Sequence, residues 1–156
     1  MKKKANISDC GKYRYSLERH WGEGNKTVIF VGLNPSIVDA EIDDPTIRRC
    51  INFAKSWGYD RLIMLNIFAY WSTDPKGLLE IEDPIGPENN QKSIKLFAEA
   101  DLIVCAWGSN KLISGDLMFG SKYLRHNPKL MCLGKTKNGQ PRHPLYVKGD
   151  TKLIDY

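Results

Sequence analysis

The run Thr27-Val-Ile-Phe-Val31 is the strongest constraint on how this chain folds. Its residues are β-branched or aromatic throughout, so a strand here cannot turn either face to water. Such a strand belongs to a sheet covered by helices on both sides. The run leads straight into Gly32-Leu-Asn-Pro-Ser36. Gly32 lets the backbone turn sharply and lets a ligand come close. Pro35 fixes φ and removes a donor. Asn34 is thereby presented at the carboxyl end of a strand, where open α/β sheets bind ligands. Asn-Pro is also an ordinary turn dipeptide, so the weight of this turn depends on the other polar turns of the chain.

Three further apolar runs read as buried strands: Arg61 to Ala69, Asp101 to Ala106 and Leu130 to Leu133. Helical patterns lie between them. Asp44-Pro45 supplies an N-cap followed by Pro at the first helical position. Ile47, Cys50, Ile51 and Ala54 then share one face, and Gly58 ends the helix. Asp74 and Pro75 open a short helix through Leu79. Asp83-Pro-Ile-Gly-Pro87 leads into a helix over about Glu88 to Ala100, and another helix is expected within Asn110 to Leu124. Tyr13 to Leu17 alternates weakly, as an edge strand would. Alternating strands and helices predict right-handed crossovers and a single three-layer αβα domain spanning residues 1–156, with a central, mainly parallel, four-stranded sheet. Residues 1–10 read as a flexible basic tail.

A chain of 156 residues can build one sizeable core. Its net charge of +5 and isoelectric point near 9.0 permit an anionic partner. They do not require one, because three of the positive charges sit in Met1-Lys-Lys-Lys4. No apolar run reaches membrane-spanning length, and no apolar segment follows the basic start, so neither a membrane partner nor a signal peptide is expected. Cys10, Cys50, Cys105 and Cys132 form no CxxC pair, and no His stands at metal-finger spacing from them. Three read as small core residues and one as lying near the terminus. That usage suits a reducing cytoplasm, and neither a metal nor another cofactor is expected.

Four polar segments follow strands and can meet along one sheet edge. They are Gly32 to Ser36, Asn66, Trp107-Gly108 and Arg142-His-Pro144. Several of their residues admit two readings. Asn66 is either a structural amide bonded to a neighbouring loop or a reader of a base edge. Trp107 suits the core better than a stacking platform, whereas His143, in a polar Pro-bounded loop, leans toward function. Asp44 is an N-cap or, with Asp43, a catalytic or metal-binding pair. Arg48 and Arg49 oppose the dipole of the helix they begin, which calls for Asp43, Asp44 or a ligand phosphate as partner. Lys135, Lys137 and Arg142 can follow a phosphate backbone or simply keep the loop soluble.

The succession Leu33-Asn-Pro-Ser36, Asp43-Asp-Pro-Thr-Ile-Arg-Arg-Cys50, Asp83-Pro-Ile-Gly-Pro87, Ala106-Trp-Gly108 and Gly139-Gln-Pro-Arg-His-Pro-Leu-Tyr146 resembles a family of short bacterial and phage proteins of unknown function. More distantly, the order Gly-Leu-Asn-Pro, Leu-Asn, Trp-Gly, His-Pro is similar to the uracil-DNA glycosylase superfamily. That resemblance implies a uracil-DNA glycosylase-like fold with the four strands in the order 2-1-3-4. It also implies that Asn34 positions the attacking water, Asn66 reads the base edge, and His143 stabilises the departing base. Ser36 follows Pro35 where the superfamily has Gly or an aromatic, and the late motif lacks its usual Ser, which points to a base other than uracil.

Breaking an N-glycosidic bond needs a positioned water, a donor for the leaving base and readout of the base edge. Asn carries both a donor and an acceptor, and His143 can donate to developing negative charge. The expected function is therefore hydrolysis of an N-glycosidic bond to a modified or unusual base in nucleic acid. Asn34 and His143 would be catalytic. Ser36, Asn66, Trp107, Asp44, Arg48, Arg49 and Arg142 would bind substrate, with the charged residues of the first helix at the rim. The alternatives are a hydrolase of a free nucleoside or nucleotide, with Arg48 or Arg49 on its phosphate, and a non-catalytic module that binds a nucleotide or nucleic acid.

Overall fold

The structure, a computed structural model, describes residues 1–37, 39–110 and 130–156. The helix expected within Asn110 to Leu124 falls almost wholly outside them. Seven strands form one sheet: β1 (Lys2–Ile7), β2 (Arg14–His20), β3 (Thr27–Gly32), β4 (Arg61–Asn66), β5 (Leu102–Cys105), β6 (Leu130–Cys132) and β7 (Ile154–Asp155). Their order is β1-β2-β4-β3-β5-β6-β7. The four apolar runs give β3, β4, β5 and β6, which pair in parallel. Antiparallel pairings add β2 beside β4, β1 beside β2, and β7 beside β6.

The sheet is thus mixed and seven-stranded, not a mainly parallel sheet of four. The outermost of the added strands, β1 and β7, are half-buried or exposed, and β2, though mostly buried, carries Arg14, Ser16, Glu18 and Arg19 in place of an apolar run. Residues 2–7 are not a flexible tail. Lys2 pairs with His20 and Ala5 with Leu17, while Lys3 reaches the Glu41 carbonyl at 2.7 Å and Asp43 at 3.6 Å. Lysines on an edge strand keep it from pairing with another chain, which gives this basic run a structural purpose.

Alternate residues of the central strands face two cores. Val28, Phe30, Leu62, Met64 and Val104 pack against α1 (Pro45–Ser56), through Ile47, Cys50, Ile51 and Ala54. Ile29, Val31, Ile63, Leu65, Ile103 and Cys105 pack on the opposite side with Phe97 of α2 (Asn89–Glu99) and Leu78 of the 3-10 helix Pro75–Glu80. Asp44 caps α1 by accepting from the Ile47 N–H at 2.8 Å, and Pro45 fills the first turn. Cys50, Cys105 and Cys132 are buried, Cys10 is exposed, and all four thiols are free. Among the described residues no helix is long and apolar enough to cross a membrane.

Candidate functional site

The described residues surround a cavity of about 530 Å³ at the carboxyl ends of β3, β4 and β5. Its volume falls within the range of small-molecule sites. Asn34, Ser36, Asp44, Asn66, Trp107, Arg142 and His143 all line it, so seven of the nine residues singled out above meet at one place. Arg48 and Arg49 do not.

Asn66 ends β4 directly opposite Gly32, the end of β3. A Cβ on Gly32 would stand 2.8 Å from the Asn66 Oδ1, so the missing side chain makes room for the amide. Asn66 is only 4% exposed. Its side chain makes no hydrogen bond among the described residues, although buried amides nearly always find a partner. The backbone beneath it is pinned from below. Asn89, fully buried at the start of α2, donates from Nδ2 to the Asn66 and Ile67 carbonyls at 2.9 and 3.1 Å. Sequence reasoning missed Asn89. A polar residue opening a helix behind a turn-rich stretch was its only signal.

Asn34 donates from Nδ2 to the Ser72 carbonyl at 2.8 Å and more weakly to the Pro35 carbonyl at 3.3 Å. Carbonyls only accept, so this pair fixes which end of the amide is nitrogen. Its Oδ1 makes no hydrogen bond among the described residues and is left as an acceptor.

His143 accepts the Leu145 N–H on Nδ1 at 3.2 Å and caps the 3-10 turn Pro144–Tyr146. A backbone N–H can only donate, so the neutral ring carries its proton on Nε2. Burial lowers the His143 pKa below its ordinary 6.5, against a smaller upward pull from Asp44. The ring is therefore a neutral donor at pH 7.

Asp44 is held by its own fold. Oδ1 caps α1 and Oδ2 accepts from the Ser36 hydroxyl at 2.9 Å. Asp43 pairs with Arg19 at 2.7 Å, so the two aspartates do not act as a pair. Among the described residues no cluster of His, Cys, Asp or Glu is arranged to hold a metal ion. Trp107 is buried, donates from Nε1 to Gln140 Oε1 at 2.9 Å and packs edge-on against Tyr156. It forms wall, not platform.

The two helix arginines turn away from the cavity. Arg48 reaches the Asp43 carbonyl at 2.6 Å. Arg49 donates to the Pro144 carbonyl at 3.2 Å and to the Val147 carbonyl, and lies over the Phe53 ring. Both oppose the dipole of α1 because backbone carbonyls of neighbouring segments claim their guanidinium groups. Arg49 acts on the site indirectly, by tying the His143 loop to α1.

Arg14 was not foreseen. It lines the cavity, is 4% exposed, and its side chain makes a single described hydrogen bond, from Nη1 to the Ile37 carbonyl at 2.6 Å. Its buried Nε has no partner. Burial pushes its pKa down to about 10, against an upward pull from Asp44 and helped by repulsion from Arg19. A register shift explains its position. Asn6 pairs with Ser16 but Ile7 pairs with Arg14, which leaves Tyr15 as an extra residue in β2. Regular alternation would put Arg14 on the sheet face opposite Leu17 and Arg19. The bulge brings it to their side, beside Asp44 and α1.

A family model described as "Protein of unknown function (DUF1643)" matches residues 14–145. The chain belongs to the DUF1643 family. That match spans every cavity-lining residue except Tyr146. No curated protein and no solved structure matches the chain. The DUF1643 description carries no activity, and the likeness to uracil-DNA glycosylases rests on the motifs alone.

Proposed function

We propose that this protein is a hydrolase of N-glycosidic bonds, acting on a modified or unusual base of a nucleic acid. One observation carries the reading: Asn66, a residue only 4% exposed whose amide makes no hydrogen bond among the described residues, lines the cavity. A donor and an acceptor on one planar group, open to the cavity and unbonded among the described residues, fit the edge of a nucleobase, which offers the complementary pair. The strand order β4-β3-β5-β6, which is the order the glycosylase resemblance implies, supports the same reading.

In this mechanism water adds to the sugar carbon as its bond to the base nitrogen breaks. The base leaves with the bonding electrons and ends with the proton that water gives up. Asn34 Oδ1 accepts a hydrogen bond from the water and orients it. His143 Nε2–H donates to the charge growing on the base. A preorganised donor of that kind contributes roughly 10²- to 10³-fold in rate. An amide is no strong base, so the reaction depends on a base that leaves readily. A reducing cytoplasm suits the free thiols.

The test is release of free base from a panel of oligonucleotides carrying modified bases and of free nucleosides and nucleotides. Asn66→Ala and His143→Ala should each lower release at least about tenfold from oligonucleotides. Release from free nucleotides alone assigns a nucleotide hydrolase instead. Binding without release by any substrate leaves a non-catalytic module.

A further inference from the structure

We propose that Arg14 is the seat of a phosphate group, so that the cavity takes its ligand as a phosphorylated nucleotide; this rests on the base-binding reading above and adds a second anchor to it. Arg14 and Arg19 leave the same strand and are both buried, yet they are treated differently. Arg19 spends Nε on Asp43, Nη1 on the Glu18 carbonyl and Nη2 on the Ala40 carbonyl. Its charge is neutralised and its donors are used. The Arg14 side chain has no ion pair among the described residues, one hydrogen bond, and a buried Nε with nothing to donate to.

A buried charge left in that state is costly unless something arrives to meet it. Asp44 does not do so within salt-bridge distance, and its two oxygens already serve Ile47 and Ser36. Among the described residues, the charged ones lining the cavity are Arg14, Arg142 and Asp44, with His143 held neutral, which leaves the described part of the wall net positive. The Arg142 guanidinium makes no hydrogen bond among the described residues. It packs against Gly134, in a loop exposed to solvent. The planar fork of an arginine matches phosphate oxygens and can bind two of them at once. Thr46 and Thr73 line the same cavity and their hydroxyls can serve the remaining oxygens.

The experiment follows thermal unfolding of the full chain in rising inorganic phosphate, against chloride at matched ionic strength, for wild type, Arg14→Met and Arg48→Ala. Phosphate should raise the melting temperature of wild type and of Arg48→Ala and leave that of Arg14→Met unmoved. Without ligand, Arg14→Met should melt no lower than wild type, because methionine removes an unmatched buried charge. In parallel, wild type should bind a nucleoside 5′-monophosphate or a short oligonucleotide roughly 10- to 100-fold more tightly than the nucleoside. Preference for the monophosphate marks a free nucleotide, and preference for the oligonucleotide marks a backbone phosphate; either supports the seat. A wild type indifferent to phosphate overturns the proposal, even if Arg14→Met fails to fold. So does a destabilised Arg14→Met that still responds to phosphate. Base release is read separately, so the phosphate seat and the hydrolase reading can fail independently.

Discussion

Gly32→Ala probes the packing on which the Asn66 assignment depends. Gly32 lies inside β3 in register with Asn66, so alanine meets no backbone penalty there. The new methyl group would sit 2.8 Å from Asn66 Oδ1, with Leu65 O and Asn66 Cγ next at 3.9 Å. The collision therefore involves one atom at the end of one side chain. Overpacking of this kind costs about 1–3 kcal/mol. Losing glycine's freedom in the unfolded chain returns about 0.4–1 kcal/mol. The net loss of about 0.5–2 kcal/mol should lower the melting temperature by a few degrees, since 1 kcal/mol is worth about 2–4 °C at this size.

Asn66→Ala removes an amide with no hydrogen-bond partner among the described residues, so it should change stability little by itself. In that background Gly32→Ala has no oxygen to strike and should become stabilising by about 0.4–1 kcal/mol. The sign of one substitution thus reverses with the state of the other, a coupling of roughly 1–3 kcal/mol. Urea unfolding of wild type, both single variants and the double variant measures it. If Gly32→Ala costs the same in both backgrounds, the clash is with backbone, and Asn66 is not the reason position 32 is glycine.

Three more outcomes follow from the geometry. His143 binds its proton less tightly when folded than its ordinary 6.5, so its contribution to stability is complete above that pH and is lost as pH falls through the lowered value; melting temperatures from pH 7.5 to 5 should fall less steeply in His143→Asn, which can still cap the turn. Arg49→Ala should cost about 1–3 kcal/mol because it frees the carbonyls of Pro144 and Val147, whereas exposed Arg48→Ala should stay within about 0.5 kcal/mol; equal effects in urea titrations would refute the assignment of Arg49 as the tether. Cys10 is exposed and its thiol is lowered by the Ser8 hydroxyl, while burial raises the thiols of Cys50 and Cys105; mass spectrometry after brief native alkylation should find Cys10 modified well before either.

The central sheet was legible because Thr27 to Val31 and its counterparts are apolar on both faces, a pattern few other structures tolerate. β1 was not legible. Lys2-Lys-Lys-Ala-Asn-Ile7 has no alternation to read, and an edge strand needs none when a neighbour supplies its hydrogen bonds. The site was legible where a turn carried a rare combination, as at Leu33 to Ser36 and Arg142 to Pro144. It was misread at Arg48 and Arg49, where proximity to the cap suggested a ligand but backbone carbonyls supply the partners, that of nearby Asp43 for Arg48 and those of Pro144 and Val147, distant in sequence, for Arg49. Arg14 was hidden for a sharper reason. Side-chain direction in a strand follows from counting, and one bulged residue at Tyr15 reverses the count.

Asp44 links these elements and limits the chemistry. Among the described residues it is the one carboxylate lining the cavity, and the obvious candidate for a general base. Its position has another cause. Oδ1 holds the first turn of α1, and Oδ2 holds Ser36 in the turn that carries Asn34. Protonating it during a reaction would loosen both the helix that Arg49 ties to the His143 loop and the turn that presents Asn34. A group that fixes three parts of a site is poorly suited to change charge in every cycle. The same negative charge beside Arg14 and His143 serves them better unchanged, keeping the guanidinium protonated despite its burial and opposing the fall in the His143 pKa. A site built this way favours chemistry that needs oriented water and a stabilised leaving group over chemistry that needs a strong base.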